Sequence, residues 1–153
     1  MMKYVLDSNV FKFVSSKTPR KPNIDAWLAT VDDSDIYITA MTIQESAHGI
    51  ALLKARKNSE HQQVAALLEA NLRAYVADHA ERILPLDAAA ALEWGHRLAS
   101  QGTKNANDLA ILSIVATQAD AAVVTMNVQD FAHRGITVID PSRRPAAIIE
   151  ART

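Results

Sequence analysis

The chain switches repeatedly between two hydrophobic periods, and the order of the switches predicts its architecture. Residues 3–6 (KYVL) form a short apolar run that stops at the polar Asp7-Ser8-Asn9, which reads as a buried first strand. Helical spacing follows at 10–16 and again at 22–31, the second opening on Pro22, a residue suited to a first helical turn. DIYIT at 35–39 alternates and is rich in β-branched residues, so it reads as a second strand. Thr42 is expected to open a helix running to 56, and Asn58 another to 78. In the latter, Val64, Leu67, Leu68, Leu72, Tyr75 and Val76 make an amphipathic stripe. RILPL at 82–86 reads as a third strand whose proline argues for an edge position or an early end. Asp87 caps an alanine-rich helix to 100, Gly102 breaks it, and Asn105 starts another helix to 118. AAVVT at 121–125 is the most apolar strand; a short helical piece, Gly135 and the strand ITVI at 136–139 complete the pattern.

Strands that alternate with helices call for an α/β sandwich, a largely parallel sheet covered on both faces. Right-handed crossovers then bring the loops that carry function to the carboxyl ends of the strands.

Composition narrows the picture. At 153 residues with 49% hydrophobic and 22% charged positions, the chain is one ordinary domain with enough apolar surface for a full core. It contains no cysteine, which removes disulfides, thiolate zinc sites and thiol nucleophiles. Asp7 interrupts the first apolar run too early for a secretory leader, and no run approaches a membrane span, so a cytoplasmic location is expected. Sixteen Lys and Arg nearly balance seventeen Asp and Glu, so an electrostatic case for nucleic acid exists only locally. Lys3, Lys12, Lys17, Arg20 and Lys21 cluster near the start, Lys54, Arg56 and Lys57 lie further on, and Arg143 and Arg144 come late. Solvated faces are the alternative reading of each cluster.

Several active sites are excluded by motif. There is no G-x-x-x-x-G-K, G-x-G-x-x-G or G-x-S-x-G, and the five histidines never reach H-E-x-x-H spacing. A dehalogenase-type phosphatase wants a second aspartate where Asn9 stands. What remains is a set of acids at strand ends. Asp7 follows the first strand, Glu45 lies inside the helix after the second, and Asp108 lies inside the helix before AAVVT. Asn127 and Asp130 follow that strand's carboxyl end. Each has a structural alternative: Thr42-x-x-Glu45 is written as a capping box, Asn105-x-x-Asp108 nearly so, and Asp7 and Asp130 can cap helices. Taken together, carboxylates on one rim repel one another and raise their own pKa values, a cost that a hard divalent cation removes. Such a cation lowers the pKa of an attacking water and screens charge on a phosphodiester undergoing hydrolysis.

The segments YVLDSNVF, TIQESAHGIALL, NDLAILSIVA and VVTMNVQDF, in that order over about residues 3 to 140, resemble PIN-domain ribonucleases. The likeness is to VapC-type toxins of toxin–antitoxin pairs, including the FitB-like branch. It implies a PIN-like three-layer α/β/α sandwich with a mainly parallel central sheet, a PIN domain over 1–140, and a tail at 141–153 packed on or extending from it. Asp7, Glu45 and Asp108 match the family's first three acids and would hold Mg²⁺ or Mn²⁺. At the fourth position this chain has Asn127, with Asp130 three residues later, so either completes the site and a second ion is in question. Met126 stands where arginine is common. Ser8, Asn9, Lys12, Arg20 and Lys54 are the expected substrate-binding residues, joined by Lys17, Lys21 and Arg56 as RNA-backbone contacts.

The activity implied is metal-dependent endoribonuclease action leaving a 5′-phosphate and a 3′-hydroxyl. The partners implied are RNA, a VapB- or FitA-like antitoxin that binds operator DNA, and a second copy of the chain, as a homodimer or dimer of dimers. Phe11, Phe13, Val14, Trp27 and Leu28 are the candidate walls of an antitoxin groove, with ordinary core as the alternative. Two rival readings stand beside this one: a non-catalytic PIN-like subunit that regulates an operator with its antitoxin, and a small phosphatase or flap-type DNA nuclease.

Overall fold

The computed structural model describes residues 1–15 and 21–151. In chain order the elements are β1 (Lys3–Leu6), α1 (Ser8–Ser15), α2 (Pro22–Leu28), β2 (Ile36–Thr39), α3 (Ala40–Lys54) and α4 (Ser59–Asp78). They continue with β3 (Ile83–Leu84), α5 (Ala88–Gln101), α6 (Ala106–Ala116), β4 (Ala121–Val124), α7 (Val128–Phe131), β5 (Thr137–Asp140) and β6 (Ala147–Ile149). The strands form one sheet in the order β3-β2-β1-β4-β5-β6. Its first four pairings are parallel; only β6 runs antiparallel, against β5. The expected sandwich is therefore present, with β1 in the middle, in register with β4 through Val5↔Val123 and Leu6↔Val124.

Both faces of the sheet are covered, so adjacent residues of one strand enter different cores. Val5 packs with Val123, Val138 and the apolar side chains of α6, against which Trp94 and Leu98 of α5 rest. Leu6 packs on the other face with Val10, Phe11, Trp27 and Leu72, from α1, α2 and α4. Every side chain of α6 from Leu109 to Val115 is buried, as expected of a helix held between a sheet and another helix. The Trp94 indole N–H donates to the Ala106 carbonyl at 2.9 Å and ties α5 to the start of α6.

Three expectations change in the structure. α3 begins two residues before Thr42, because Thr39 at the end of β2 is the N-cap and its hydroxyl accepts from the Thr42 N–H at 3.2 Å. The third strand shrinks to two residues, since Arg82 belongs to a 3₁₀ turn and Pro85 cannot donate to the ladder; it lies at the sheet edge. The stripe on α4 is only partly core. Leu72 is buried and Tyr75 meets the Phe11 ring edge-on at 4.9 Å, but Val64 and Leu67 are 48% and 59% exposed. Those two lie near the α3–α4 connection, as does the exposed Leu52 of α3, so that end of the hairpin finds no sheet beneath it. Asp87 caps α5 as expected, accepting from the Ala90 N–H at 2.9 Å. Gly102 ends that helix at φ +80°, a conformation glycine adopts without strain.

Candidate metal-ion site at the carboxyl ends of the strands

Asp7 emerges from β1 directly into the first turn of α1, and its position in the centre of the sheet leaves it 4% exposed. One carboxylate oxygen, Oδ1, accepts from the Ser8 N–H at 2.8 Å, and Oδ2 accepts from the Thr125 hydroxyl at 2.9 Å. These bonds favour the anion, yet burial outweighs them and raises the Asp7 pKa, with Asp130 adding repulsion.

Glu45 stands across from it. Because α3 starts at Ala40, Glu45 sits in the second turn, too far along to close a capping box with Thr42. Its Oε2 instead accepts from the Ser8 hydroxyl at 2.8 Å, and its pKa is raised by burial and, more weakly, by Asp7. The second proposed box fails as well. Asn105 precedes α6 without a side-chain cap bond, and its amide reaches Asp130 Oδ1 at 3.4 Å. Asp108, in the first turn of α6, carries the clearest electrostatic sign of a cluster. Burial first, then Asp7, Asp130 and Glu45 push its pKa up to about 6, with Arg134 pulling the other way.

The fold thus brings Asp7, Glu45, Asp108 and Asp130 into one another's field. It does not bring Lys54 there: at the end of α3 it lies about 13 Å along the helix axis from Glu45, and pairs with Glu69 at 3.8 Å. Lys12 lines a cavity of about 350 Å³ that also includes Ser8 and Glu45. Arg20 and Lys17 lie outside the described residues. Ser8 and Asn9 spend their side chains inside the protein, Ser8 on Glu45 and Asn9 between the Thr125 hydroxyl (3.3 Å) and the Met126 N–H (3.2 Å). Asn127 is exposed, and its backbone N–H donates to Thr125 Oγ1 at 3.0 Å.

Two residues in this region escaped the sequence reading. Thr125 is fully buried and gathers Asp7, Asn9 and Asn127 around one hydroxyl. Its signal was available, a polar residue closing the most apolar strand. Arg134 is the cation whose field reaches Asp108, and its guanidinium also bonds Gln101. Nothing in its local sequence marks it. Of the candidate groove walls, Phe11, Phe13 and Trp27 are buried, in keeping with the core alternative, while Val14 and Leu28 are half-buried against the core. The apolar lining of the cavity beside Glu45 comes from Ile50, Leu53, Leu68 and Leu72 instead.

The donor set is all oxygen and mutually repulsive, the chemistry a hard divalent cation suits. Among the described residues no three His, Cys, Asp or Glu side chains are already drawn together as ligands. Mg²⁺ tolerates this, because it is typically held through one or two carboxylates and keeps several of its waters.

The family model for the PIN domain matches residues 4–135. Among solved structures, FitAcB from Neisseria gonorrhoeae is 26% identical with a TM-score of 0.69, over 90% of this chain and 97% of that one. FitAB bound to an IR36 DNA fragment is 25% identical with a TM-score of 0.70, over 92% and 96%. DNA-bound VapBC from Salmonella typhimurium is 24% identical with a TM-score of 0.64, over 92% and 99%, and shares the fold. Comparison with curated protein sequences gives no match. Among the described residues no helix is long and apolar enough to cross a membrane.

Proposed function

The chain belongs to the PIN-domain family, whose members are generally nucleases, and from that premise we propose that it is a metal-dependent endoribonuclease, the toxin of a toxin–antitoxin pair. The observation that carries this reading is the buried Asp7 of a PIN domain, held by Thr125 and joined through Ser8 to Glu45, with the Asp108 pKa raised to about 6 by burial and by these acids and Asp130. Perturbed acids gathered at the carboxyl end of a parallel sheet are the arrangement expected where a cation and a substrate meet.

Asp7, Glu45 and Asp108 would hold Mg²⁺ or Mn²⁺, with Asp130 the charged residue completing the set. The ion, when bound, supplies a water of lowered pKa and a counter-charge for the phosphodiester. The chain's own groups do the positioning. Thr125 and the Ser8 N–H hold the Asp7 carboxylate in one orientation. Ser8 links Asp7 to Glu45, its N–H donating to the Asp7 carboxylate and its hydroxyl to that of Glu45. Asn127, uncharged and exposed at the rim, offers its side-chain amide to the RNA without adding repulsion. Hydrolysis in this geometry would leave a 5′-phosphate and a 3′-hydroxyl.

The cavity formed by Ser8, Lys12, Glu45, Ile50, Leu53 and Leu72 is the seat we assign to an antitoxin peptide, apolar along one wall and opening at the acids. Such a peptide would cover the site it inhibits. A VapB- or FitA-like partner would also supply contact with operator DNA, and the chain would assemble as a homodimer or dimer of dimers, which sedimentation would measure.

The test is to purify the chain free of any antitoxin, beside Asp7→Asn, and incubate each with total RNA in Mg²⁺, Mn²⁺ or EDTA. Discrete cleavage by the unmutated chain alone, abolished by EDTA, is the expected result. Silence from both, with no metal binding by calorimetry, would move the reading to a regulatory subunit that cleaves nothing.

A further inference from the structure

Beside Asn127, a cavity of about 620 Å³ opens between α7 and the β5–β6 turn. Its wall includes Asn127, Gln129 and His133 from α7 and its flanks, Asp140 and Arg143 from the turn, and Ile149 from β6. α7 acts as a partition. Asp130 on it receives the Asn105 amide on the acidic side, while Gln129 and His133 line the cavity. Asn127 is common to both, because its backbone is tied to the hydroxyl of Thr125 that also holds Asp7.

Three properties of the wall identify a ligand class. First, the side-chain amides of Asn127 and Gln129 are exposed, with no hydrogen-bond partner among the described residues; each presents a donor and an acceptor, the pattern that reads a base edge. Second, the one carboxylate in the wall is internally satisfied. Asp140 is buried, its Oδ1 accepts from the Ser142 N–H and hydroxyl at 3.0 and 2.6 Å, and its Oδ2 lies 3.5 Å from Arg143 Nε. A polyanion approaching here therefore meets first the 74%-exposed guanidinium of an ion pair whose carboxylate is buried behind it. Third, the volume falls inside the roughly 300–1,000 Å³ of small-molecule sites, and half-buried Ile149 gives the cavity an apolar surface for a ring face.

We propose that this cavity is a subsite for one unstacked base of a single-stranded RNA lying across the acids. Asn127 and Gln129 read its edge, and Arg143 contacts the adjoining phosphate. The proposal rests on the ribonuclease reading for its substrate class and adds to it a source of sequence preference. Because the edge of a base in an A-form duplex is paired and its major groove is closed to side chains, the subsite admits only loops, bulges and ends.

Binding tests this without requiring cleavage. In the full chain carrying Asp7→Asn, with Mg²⁺ at fixed salt, fluorescence anisotropy would measure the affinity of labelled oligo-rA, -rC, -rG and -rU. One homopolymer is expected to bind about tenfold more tightly than the weakest, the worth of a good base-edge contact. Adding Gln129→Ala, an exposed change that leaves the core alone, should bring the four within about threefold. Adding Arg143→Ala should weaken all four alike and reduce the salt slope by about one. Equal binding of the four homopolymers by the Asp7→Asn chain, a preference untouched by Gln129→Ala, or equal competition by duplex RNA would each overturn the subsite. Mapping cleavage by the active chain separates the two readings. Base-selective binding with no cleavage under any metal would remove the nuclease and leave the subsite standing, while cleavage with no base preference would do the reverse.

Discussion

Asp7 and Asp87 begin as the same local event. Each follows a short strand and precedes a helix, and each carboxylate accepts a backbone N–H from the helix it introduces, Ser8 for Asp7 and Ala90 for Asp87. Their surroundings differ because their strands do. β3 is an edge strand of two residues, and Asp87 beyond it is exposed. β1 is central, so β4 delivers Thr125 on one side and β2 leads into α3 and Glu45 on the other. A cap becomes a candidate site through the position of its strand in the sheet, since only an inner strand has neighbours whose ends converge on it.

The largest expected effect comes from removing the charge at the central position. Asp7→Asn keeps the shape and should lower the RNA cleavage rate at least about 100-fold, beyond the 10–100-fold typical of groups that merely support a ligand. A variant with full activity would sink the site as drawn. Next comes Thr125→Val, nearly isosteric, which deprives Asp7 Oδ2 of its donor and Asn127 of its acceptor. Mn²⁺ affinity by calorimetry is expected to fall about 10–100-fold; an unchanged affinity would make Thr125 a packing residue.

The third effect is in stability against pH. Asp108, raised from 3.8 to about 6, holds its proton in the folded state over a range where the unfolded chain has released it. Its contribution is therefore fully present below about pH 4 and is lost as pH rises through about 6. In EDTA, the melting temperature of Asp108→Asn relative to the unmutated chain should climb between pH 4.5 and 7, and Mn²⁺ should stabilise the unmutated chain more at pH 7.5 than at pH 5. A difference that stays flat across that range would show that Asp108 is neither buried nor repelled by the other acids as drawn. The smallest effect belongs to the edge: Asp87→Ala should cost about 1 kcal/mol, seen as a fall of roughly 2–4 °C in Tm for a chain this size, with cleavage unaltered.

Much of the fold was legible because both periods are strong and the punctuation is chemical. KYVL stops at three polar residues, Asn58 and Asp87 accept from the first N–H groups of their helices, and Gly102 ends one. The failures share one cause. Thr42-x-x-Glu45 satisfies the capping rule as written, but Thr39 three residues earlier satisfies it better, because the strand it closes has already fixed where α3 begins. RILPL reads as a full strand, but at an edge with proline inside it only two residues find a ladder. Val64 and Leu67 fit a core stripe by spacing, and spacing does not say that the sheet ends before them. For the site, the acids were visible as residues at strand ends; Arg134 was not, because it enters the field of Asp108 from a loop whose sequence carries no pattern.

By itself the sequence determined the alternation of strands and helices, the parallel character of the sheet, and the supply of acids at the carboxyl ends of its strands. These follow from side-chain period and local hydrogen bonding, which act over a few residues. Only the tertiary structure decided which acids meet, that Ser8 joins Asp7 to Glu45, that Thr125 serves three partners, and that Lys54 is left with Glu69. Those outcomes depend on strand order, which puts residues 7 and 125 in hydrogen-bond contact and brings residues 7, 45 and 130 within the field of Asp108. Burial then makes the encounter matter, since a charge repels its neighbour strongly only where water has been taken away.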